Sequence, residues 1–302
     1  MKIQILVYKF IYQPNINRII RFLLKPLSSL LPKHFKLPPN GIVQFKLNNG
    51  NIIKMAANQT SHVTWEIFWN GYENYEYVQL FEDLAPKIRT FLDIGANIGF
   101  YSLIYASKNE KGKAYAFDPS PGPFHYLKKN IRLNNFESQI EPVQLALTNE
   151  KGKTRFVAAN VPKYEYLDFA TLGGSGHLKG ARKDTSTISF EVLTNRLDDY
   201  VIENKVNNID FIKVDTEETE HLILQTGLKM LSINKPIVVC EIFSSHVALA
   251  LNEIFIPLGY QIFKSKGKQL ILSKSIQFDD GIIDNYFFVH PEKLELVQSY
   301  IA

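Results

Sequence analysis

The sequence predicts an α/β protein built on a doubly wound, mostly parallel sheet of seven strands, preceded by a basic helical arm and a β-hairpin. The main observation is that short apolar runs alternate with stretches of helical periodicity beyond residue 86. This alternation is typical of a sheet with crossover helices on both faces. The second observation is size, because 302 residues with 45% hydrophobic and 13% aromatic side chains can bury a large core. The main domain is therefore expected at residues 86–302, with an insertion at 151–194.

Each predicted strand is a short apolar run, and most of the runs lead into a helical stretch. The strand candidates are residues 90–96, 113–119, 140–147, 209–215 and 236–243, with two more near the end at 260–267 and 285–291. The helical stretches are residues 98–108, 123–135, 197–204, 218–231 and 246–259.

The insertion at 151–194 breaks the alternation. It contains two further strand-like runs, 153–158 and 186–193, around a glycine-rich loop. This loop could close over a substrate or be an ordinary exposed loop; its glycines are Gly173, Gly174 and Gly176.

Residues 1–40 form a basic amphipathic arm. The first 65 residues contain nine Lys or Arg and no Asp or Glu, although the whole chain has a net charge of only +4. Within the arm, apolar side chains such as Phe22 and Leu23 mix with arginines at roughly helical spacing. Two interpretations stay open: residues 1–36 lie on an anionic membrane surface, or the helix packs on the main domain with its charges solvated. The arm has neither the charge-free length of a transmembrane helix nor the cleavage site of a signal peptide.

Residues 41–85 are predicted to add a hairpin and an aromatic helical segment. The runs 41–47 and 51–56 flank an Asn-Gly turn, which is a strong local signal for a β-hairpin. The segment that follows is expected to contain a helix ending near Pro86. Its rings could form a wall that stacks on a sugar, or they could pack on the sheet; they belong to Trp65, Phe68, Trp69, Tyr72 and Tyr75.

Cysteine usage favours a reducing compartment. Cys240 is the single cysteine, so the sequence excludes an internal disulfide and a Cys-x-x-Cys metal site. We therefore expect a cytoplasmic protein. No repeat of fixed period is present, which excludes solenoid architectures.

The residues that end the first two strands are candidates for ligand binding, because doubly wound sheets bind ligands beyond the carboxyl ends of their strands. Gly95 and Gly99 in DIGANIGF permit close backbone approach to a ligand, although a plain tight turn is the alternative. They do not form the GxGxxG pattern of dinucleotide-binding proteins. Asp118 ends the second strand and can accept hydrogen bonds from both hydroxyls of a ribose. A compatible role for Asp118 is to cap the helix that begins near Pro121.

The fourth strand ends in VDTEETE, which places four carboxylates close together. They belong to Asp215, Glu217, Glu218 and Glu220. A carboxylate here can act as a general base toward a weakly nucleophilic hydroxyl, and position favours Asp215 first and Glu217 second. The structural alternative is a helix start, because Asp215 and Glu218 have the spacing of a capping box. Oxygen ligands for Mg²⁺ are conceivable, but no metal is predicted because no second acidic or histidine motif supports one.

Lys213 and Glu241 complete the candidate catalytic set. Lys213 interrupts an apolar strand on the same face as Asp215, so its charge needs a partner, and Glu241 at the end of the fifth strand is the predicted one. A lysine with a lowered pKa that acts as the base is the alternative. Glu241 is also a candidate for binding or deprotonating the acceptor. His246 follows it and is interpreted as a helix cap or a surface residue.

Three segments, in this order and spacing, resemble the FkbM family of S-adenosylmethionine-dependent methyltransferases: TFLDIGANIGFYSL, YAFDPSPGPFHYLKKNIRLNN and IDFIKVDTEETEHLIL. The resemblance covers roughly residues 70–265. It implies a class I methyltransferase fold, which is Rossmann-like, with S-adenosylmethionine as cofactor and methyl transfer to oxygen. By position it also implies the cofactor site, with the amino-acid end held by Asp93, Gly95, Asn97 and Gly99, the ribose by Asp118, and the adenine by Ala146 and Leu147.

The sequence departs from this family pattern at two positions. Asp118 stands where the family usually has Glu. Glu218 stands where the family motif D-x-E-G-x-E has glycine, and a glycine there would allow close approach or a backbone angle that Glu tolerates poorly.

The predicted function is an S-adenosylmethionine-dependent O-methyltransferase acting on a sugar hydroxyl in a surface glycan or a lipid-linked precursor, as in polysaccharide biosynthesis. The expected partners are a small-molecule or glycan acceptor and, through residues 1–36, the inner face of an anionic membrane. Nucleic acid is not expected, because the main domain is acidic and the [DN]PP[YF] motif is absent. The alternative is a non-catalytic module that binds the cofactor or a partner on the same fold, and Glu218 is the reason to retain it. The sequence predicts neither the acceptor nor the oligomeric state.

Overall fold

The computed structural model describes residues 2–159, 161–169, 171–172, 187–278 and 284–302. Its strands are β1 (Gly41–Lys46), β2 (Ile52–Ala57), β3 (Thr90–Ile94), β4 (Lys113–Phe117), β5 (Ile140–Val143), β6 (Ala146–Leu147), β7 (Gly152–Ala159), β8 (Thr187–Asn195), β9 (Ile209–Val214), β10 (Ile237–Ile242), β11 (Gln261–Lys266), β12 (Gln269–Ser273) and β13 (Asp284–Val289).

The α-helices pack around these strands, and short 3₁₀ turns join several of them. They are α1 (Lys2–Ile11), α2 (Pro14–Leu24), α3 (His62–Asn70), α4 (Val78–Leu84), α5 (Phe100–Lys108), α6 (Pro121–Leu133), α7 (Leu197–Glu203), α8 (Glu220–Gln225), α9 (Leu228–Asn234), α10 (Ser245–Phe255) and α11 (Leu294–Val297).

The central sheet has the order β12-β11-β13-β10-β9-β3-β4-β5. Strands β3, β4, β5, β9 and β10 run parallel, and β13 runs antiparallel to both β10 and β11. The predicted α/β class and mostly parallel sheet are confirmed. The sheet described here has eight strands rather than seven, because residues 269–273 fold back on β11 across Gly267 and form an edge strand.

The core has two layers, one on each face of the central sheet. Consecutive residues of a strand point to opposite faces, so Phe91 and Phe211 join one layer while Leu92 and Ile212 join the other. Helices α4, α5 and α6 cover the first layer, and α7 to α10 cover the second. This two-sided burial is why the strands read as continuous apolar runs rather than as alternating ones.

The insertion forms a separate small sheet of order β6-β8-β7. The two strand-like runs predicted there are confirmed as β7 and β8, which pair antiparallel over eight residue pairs. The single strand predicted at 140–147 is wrong, because the run divides: β5 pairs with β4 and β6 pairs with β8. Gly173, Gly174 and Gly176 lie outside the described residues.

The hairpin and the aromatic segment lie on the first core layer. The predicted hairpin is confirmed, with β1 and β2 paired from Gly41–Ala57 to Lys46–Ile52. The aromatic segment contains two helices, α3 and α4, and α4 ends at Leu84, which confirms the helix predicted to end near Pro86. The indole Nε1 of Trp65 donates to the Lys36 carbonyl at 2.9 Å. That of Trp69, which is buried, donates to the Leu37 carbonyl at 3.0 Å. These two rings therefore fasten the end of the arm to the domain, which favours packing over a sugar-stacking wall.

The arm forms two short helices, α1 and α2, and the second one packs on the domain with its polar side. Asn17 and Arg21 are the buried residues of α2, whereas Ile19, Phe22 and Leu23 are exposed. The helix therefore packs on the domain, as one of the two interpretations expected, but its charges are not all solvated, because Arg21 is buried. Among the helices of the described ranges, none has the length and apolar character needed to cross a bilayer.

Candidate active site

Two neighbouring cavities open at the carboxyl ends of β3, β4 and β9. Strand β3 lies between β4 and β9, so the chain turns in opposite directions on its two sides, and such a switch point leaves a crevice. The larger cavity is lined by residues that follow these strands and by residues of the insertion. Its lining includes seven residues that were selected from the sequence: Gly95, Asn97, Asp118, Ala146, Leu147, Asp215 and Glu217.

The glycine loop after β3 is shaped by its own neighbours. Gly95 has φ +75°, and a Cβ atom there would lie 1.9 Å from the main-chain oxygen of Asp215. Glycine is therefore required because the loop touches the end of β9. Gly99 has φ +94° immediately before α5, and a Cβ there would lie 2.7 Å from Leu127 Cδ1. At both positions the close approach is to the protein itself, whereas the sequence analysis expected an approach to the ligand.

Asp118 is held at the floor of the larger cavity by two backbone donors. The amide of Asn97 donates to Oδ2 at 3.0 Å, and the amide of Ser120 donates to Oδ1 at 2.8 Å. Burial raises the pKa of Asp118 to about 7. An ionised carboxylate offers about four acceptor positions, so each oxygen keeps capacity for one further donor. The N-cap of helix α6 is Ser120. Asp118 therefore does not cap α6 itself but holds the N-cap residue in place by accepting from its amide.

The far end of the larger cavity is apolar. Ala146 and Leu147 line it from β6, and Phe156 and Ala158 line it from β7. The two residues of β7 were missed from sequence, since nothing in an alternating strand of an insertion predicts which ligand it covers. The insertion thus supplies one wall of the cavity.

The smaller cavity lies on the other side of the glycine loop. Tyr75, Glu76, Tyr101, Lys213 and Asp215 are among its lining residues. Tyr101 donates its hydroxyl to Glu76 Oε2 at 2.8 Å. Glu76 adopts a left-handed backbone with φ +43°, a conformation that non-glycine residues hold only when the surroundings enforce it. Sequence reasoning missed Glu76, whose only signal was a lone acid between two tyrosines.

The pKa of Glu76 is raised, although part of the residue is accessible to solvent. The main cause is desolvation by the crevice walls, followed by the charge of Asp215. Solvent access inside a crevice means that a bound molecule can reach this carboxylate. Asp215 borders both cavities, so it lies where a ligand filling both would pass.

Lys213 is the buried cation of this crevice. Its Nζ lies 3.2 Å from Asp215 Oδ2 and 3.7 Å from Asp93 Oδ1, and it donates to the Gly95 carbonyl at 3.1 Å. The predicted partner, Glu241, is therefore wrong. Burial lowers the pKa of Lys213, but Asp215, Asp93 and Glu76 together raise it above its usual value. A lysine held in its charged form cannot act as a general base, so that alternative is also wrong.

Asp93 lies beneath the glycine loop, not on a cavity wall. It is 1% exposed, and it accepts a hydrogen bond from the Ser102 hydroxyl at 2.6 Å. Burial raises the pKa of Asp93. Its Oδ1 atom accepts no hydrogen bond, and the nearest positive charge is Lys213 Nζ at 3.7 Å. The structure thus corrects the position implied for Asp93, since it holds Lys213 and α5 in place instead of facing a ligand.

Glu241 ends β10 next to the end of β9. Burial raises its pKa to about 8, and the nearby charges of Asp215 and Glu76 contribute. A carboxylate with such a pKa binds a proton at neutral pH more readily than an ordinary one. His246, at the start of α10, packs its ring against His221 with centroids 4.5 Å apart. In the described part of the chain, no three His, Cys, Asp or Glu side chains are grouped to hold a metal ion.

The comparisons with known proteins identify the family. The family model described as the methyltransferase FkbM domain matches residues 93–262, which is more than half of the chain. The chain belongs to the FkbM methyltransferase family. It therefore has the class I methyltransferase fold, and its cofactor is S-adenosylmethionine.

The chain is similar to curated methyltransferases of more than one kind. The 31-O-demethyl-FK506 methyltransferase FkbM of Streptomyces tacrolimicus is 25% identical over 194 residues, which cover 59% of this chain and 72% of that protein. The tRNA (guanine(37)-N(1))-methyltransferase Trm5b of Methanocaldococcus jannaschii is 31% identical over 121 residues, which cover 38% of this chain. The match spans only 35% of the length of Trm5b. A crystal structure of the methyltransferase FkbM from Methylobacillus flagellatus aligns with a TM-score of 0.44 at 16% identity, over 74% of this chain and 52% of that one.

The residues of this FkbM methyltransferase fit S-adenosylmethionine. Asp118 keeps two acceptor positions for ribose hydroxyls, and the apolar wall of β6 and β7 suits an adenine ring. The crevice beyond the glycine loop brings Asp215, Asp93 and Glu76 around one lysine. This excess of carboxylates favours a cationic ligand, and the cofactor carries a sulfonium and an ammonium group.

The acidic loop after β9 explains where this chain departs from the family pattern. Glu217 has φ +55° and Glu218 has φ +74°, both in the left-handed region. The position of the family glycine therefore requires a glycine-like backbone, as the sequence comparison suggested. Glu218 is exposed, so the substitution strains the loop without filling the cavity.

Glu220 lies at the start of α8, as predicted, but its side chain is buried and not a surface charge. Its Oε1 accepts from the Thr216 amide at 2.9 Å and from the Thr216 hydroxyl at 3.1 Å, while Oε2 has no partner. Burial raises the pKa of Glu220 to about 7. The predicted capping box is wrong, because α8 begins at Glu220 and no side chain caps it. Glu220 instead closes the loop onto Thr216.

We expect Glu218→Gly to stabilise the protein by about 1 kcal/mol. A left-handed backbone costs a non-glycine residue roughly 1–2 kcal/mol, and the extra unfolded-state entropy of glycine cancels part of this gain. Chemical denaturation measures the change. The matched control is Glu253→Gly on the exposed side of α10, which should instead destabilise by up to about 1 kcal/mol. A loss of stability in Glu218→Gly would contradict the proposed strain.

Proposed function

We propose that this protein is an O-methyltransferase that acts on a hydroxyl of a sugar, within a glycan or a lipid-linked precursor. The observation that carries the proposal is the pair of carboxylates Asp215 and Glu241. Asp215 lines both cavities, and Glu241 lies on the adjacent parallel strand β10, where its charge interacts with that of Asp215. With two carboxylates, one can orient the methyl acceptor by a hydrogen bond while the other removes its proton. A hydroxyl is such an acceptor.

Each group of the site has a separate task in this proposal. Asp118 would hold the ribose of the cofactor, and Glu76 would attract its cationic end. When bound, S-adenosylmethionine supplies a methyl group that is transferred to the acceptor oxygen while the sulfur keeps the electron pair of the broken bond. Lys213 holds the carboxylate of Asp215 in place, because its Nζ donates to Asp215 Oδ2 at 3.2 Å.

Glu241 is the better general base on electrostatic grounds. Its pKa of about 8 lies close to neutral pH. At such a pKa a useful fraction of the base is deprotonated, and the base still binds a proton strongly. Asp215 is already engaged by Lys213, so we assign it the task of accepting a hydrogen bond from the acceptor hydroxyl. The charged and titratable groups that face Glu241 are Asp215, Glu76, Lys213 and Glu217.

The relatives support oxygen as the methyl acceptor. The protein from Streptomyces tacrolimicus carries a 31-O position in its name, and the match extends over 72% of its length. The match to the tRNA enzyme Trm5b extends over only 35% of its length. It therefore supports a common cofactor-binding region more than a common methyl acceptor. The acceptor of this chain therefore follows the longer match in our proposal.

The non-catalytic alternative loses its main support. It rested on Glu218 in place of glycine, and that side chain is exposed to solvent. The carboxylates of Asp215 and Glu241 remain next to the cavity. We therefore expect turnover rather than cofactor binding alone.

Methyl transfer from labelled S-adenosylmethionine to a panel of glycans and lipid-linked sugars tests the function. We expect Glu241→Gln to lower turnover by about 10²- to 10⁴-fold without changing cofactor affinity. Glu241 must be deprotonated to act, so wild-type turnover should rise with pH and level off above about 8. Glu253→Gln, an exposed acid on α10, is the control and should behave as wild type.

Two results would contradict the proposal. Turnover of Glu241→Gln at the wild-type rate, with the same pH dependence, would remove Glu241 as the base. Labelling of tRNA and of no hydroxyl acceptor would replace the proposed acceptor class.

A further inference from the structure

The arm exposes its apolar side chains and buries its polar ones. On α2, Arg21 is 2% exposed; its Nε donates to Asn17 Oδ1 at 2.8 Å and its guanidinium lies 4.4 Å from the centroid of the Phe68 ring. Lys25 donates from Nζ to the Trp69 carbonyl at 3.2 Å. Asn17 in turn donates to the Pro38 carbonyl at 3.1 Å. The arm is thus fastened to the domain by polar contacts, the reverse of an ordinary surface helix.

The outward side of the arm is an extended apolar surface, which we call the arm face. Its members lie between 49% and 80% exposed: Leu6, Val7, Phe10, Ile19, Phe22, Leu23, Leu27, Leu30 and Phe35. Single exposed apolar residues are ordinary, but nine large ones within thirty residues mark a surface that meets an apolar partner.

Charge decides which partner fits. The first 65 residues contain nine basic and no acidic side chains, so the arm itself contributes positive charge only. A groove at its edge is lined by Arg18, Arg21 and Lys25 together with apolar side chains such as Ile19 and Phe22. Such a groove combines the exposed guanidinium of Arg18, which can bind a phosphate, with a wall for hydrocarbon.

A second copy of the chain fits the arm face poorly. A two-fold dimer through this face would bring its apolar residues together, but it would also bring the basic residues of both copies together. Like charges next to a desolvated interface oppose association. An anionic bilayer satisfies both features, because its headgroups attract the lysines and arginines while its acyl region receives the apolar side chains.

We propose that the arm face, residues 6–35, docks the protein on the surface of an anionic lipid bilayer. Leu23 and Phe22 on α2 and Phe10 on α1 enter the acyl region in this arrangement, and Arg18 contacts lipid phosphates at the headgroup level. The arm lies on the membrane without crossing it. This proposal is independent of the methyl acceptor.

The arm is also in contact with the segment that reaches the cofactor loop. Tyr8 and Tyr12 of the arm pack their rings on Tyr164, with centroids 5.9 and 5.7 Å apart. Further along the same segment, the Leu172 carbonyl accepts from Asn97 Nδ2 at 3.2 Å. The arm and the cofactor loop thus contact the same stretch of the insertion, the arm at Tyr164 and the loop at Leu172.

Vesicle co-sedimentation of the full chain tests the proposal. We expect the protein to pellet with vesicles that contain phosphatidylglycerol and to stay in the supernatant with vesicles of phosphatidylcholine alone. The double variant Phe22→Ser/Leu23→Ser should lower the vesicle partition coefficient at least about tenfold, because two buried apolar anchors are lost. Raising the salt concentration should weaken the binding of the wild type.

A matched double variant controls for non-specific vesicle binding through exposed apolar side chains. Leu249 and Ile256 lie outside the arm and are 65% and 50% exposed, so Leu249→Ser/Ile256→Ser removes comparable apolar surface and should bind vesicles as the wild type does. Equal pelleting of the wild type and the arm variant would overturn the proposal. So would a dimer in solution that the arm variant converts to a monomer without any vesicle binding, since a second copy would then be the occupant.

Discussion

Asp118→Ala is expected to weaken S-adenosylmethionine binding at least about 100-fold, because a hydrogen bond to a charged group contributes roughly 1.5–3 kcal/mol and two are lost. The substitution removes the acceptor for the ribose hydroxyls. It also leaves the amides of Asn97 and Ser120 without their carboxylate partner, so the glycine loop loses part of its support. Isothermal titration calorimetry with S-adenosylmethionine measures the change.

Two control variants separate the ribose contact from general damage. Asp118→Glu restores the residue that the family usually carries, and it should retain most of the affinity. Glu110→Ala changes an exposed acid remote from the cavity, and it should leave affinity unchanged. If Asp118→Ala is folded and binds within about threefold of the wild type, a factor worth only ~0.7 kcal/mol, the assigned ribose site is wrong.

Lys213→Met is expected to destabilise the protein by about 3–5 kcal/mol, the usual cost of removing one partner from a buried ion pair. Lys213 is the cation that faces Asp93 and Asp215, at 3.7 and 3.2 Å. Without it, the buried carboxyl of Asp93 faces the carboxylate of Asp215 with no compensating charge. Chemical denaturation followed by circular dichroism gives the free energy of unfolding.

The deficit should depend on pH in a defined direction. Burial raises the pKa of Asp93 in the folded protein, and the loss of Lys213 raises it further. Between the ordinary aspartate pKa of about 3.9 and the raised pKa of the folded state, Asp93 takes up a proton when the chain folds. The variant therefore loses stability as the pH rises from the first of these pKa values through the second. The deficit at about pH 8 should therefore exceed the deficit at about pH 5.

A surface ion pair provides the matched control. Lys153 lies 2.7 Å from Glu191, and both side chains are solvent-exposed, so Lys153→Met should leave the free energy of unfolding nearly unchanged. A deficit of Lys213→Met that is as small as the control, or that is the same at both pH values, would contradict the ion-pair assignment.

The sequence alone predicted the arm only in part. The composition of residues 1–65 already indicated an anionic partner, because charge can be counted without coordinates. Which side of α2 faces the domain could not be deduced, since its apolar and basic residues are both at helical spacing. The hydrogen bonds of Asn17 and Arg21 decide it, and they join residues that are distant in sequence.

The catalytic candidates show the same division. Asp215 and Glu241 were selected because they end predicted parallel strands, and the ends of adjacent strands meet in space. The partner of Lys213 was wrong because the choice between Asp93, Asp215 and Glu241 depends on differences of a few ångströms. Glu76 was missed because it belongs to no periodic element and reaches the crevice only through a left-handed turn.

By itself, the sequence determined the α/β class, the order of the strands along the chain, the family and the cofactor. These follow from apolar periodicity and from motifs that lie within single strand-to-helix turns. The tertiary structure decided the rest: the eighth strand, the wall that β7 adds to the cavity, the enclosure of Lys213 by carboxylates and the outward arm face. Each of these features is a contact between segments far apart in the chain, and local patterns carry no information about such contacts.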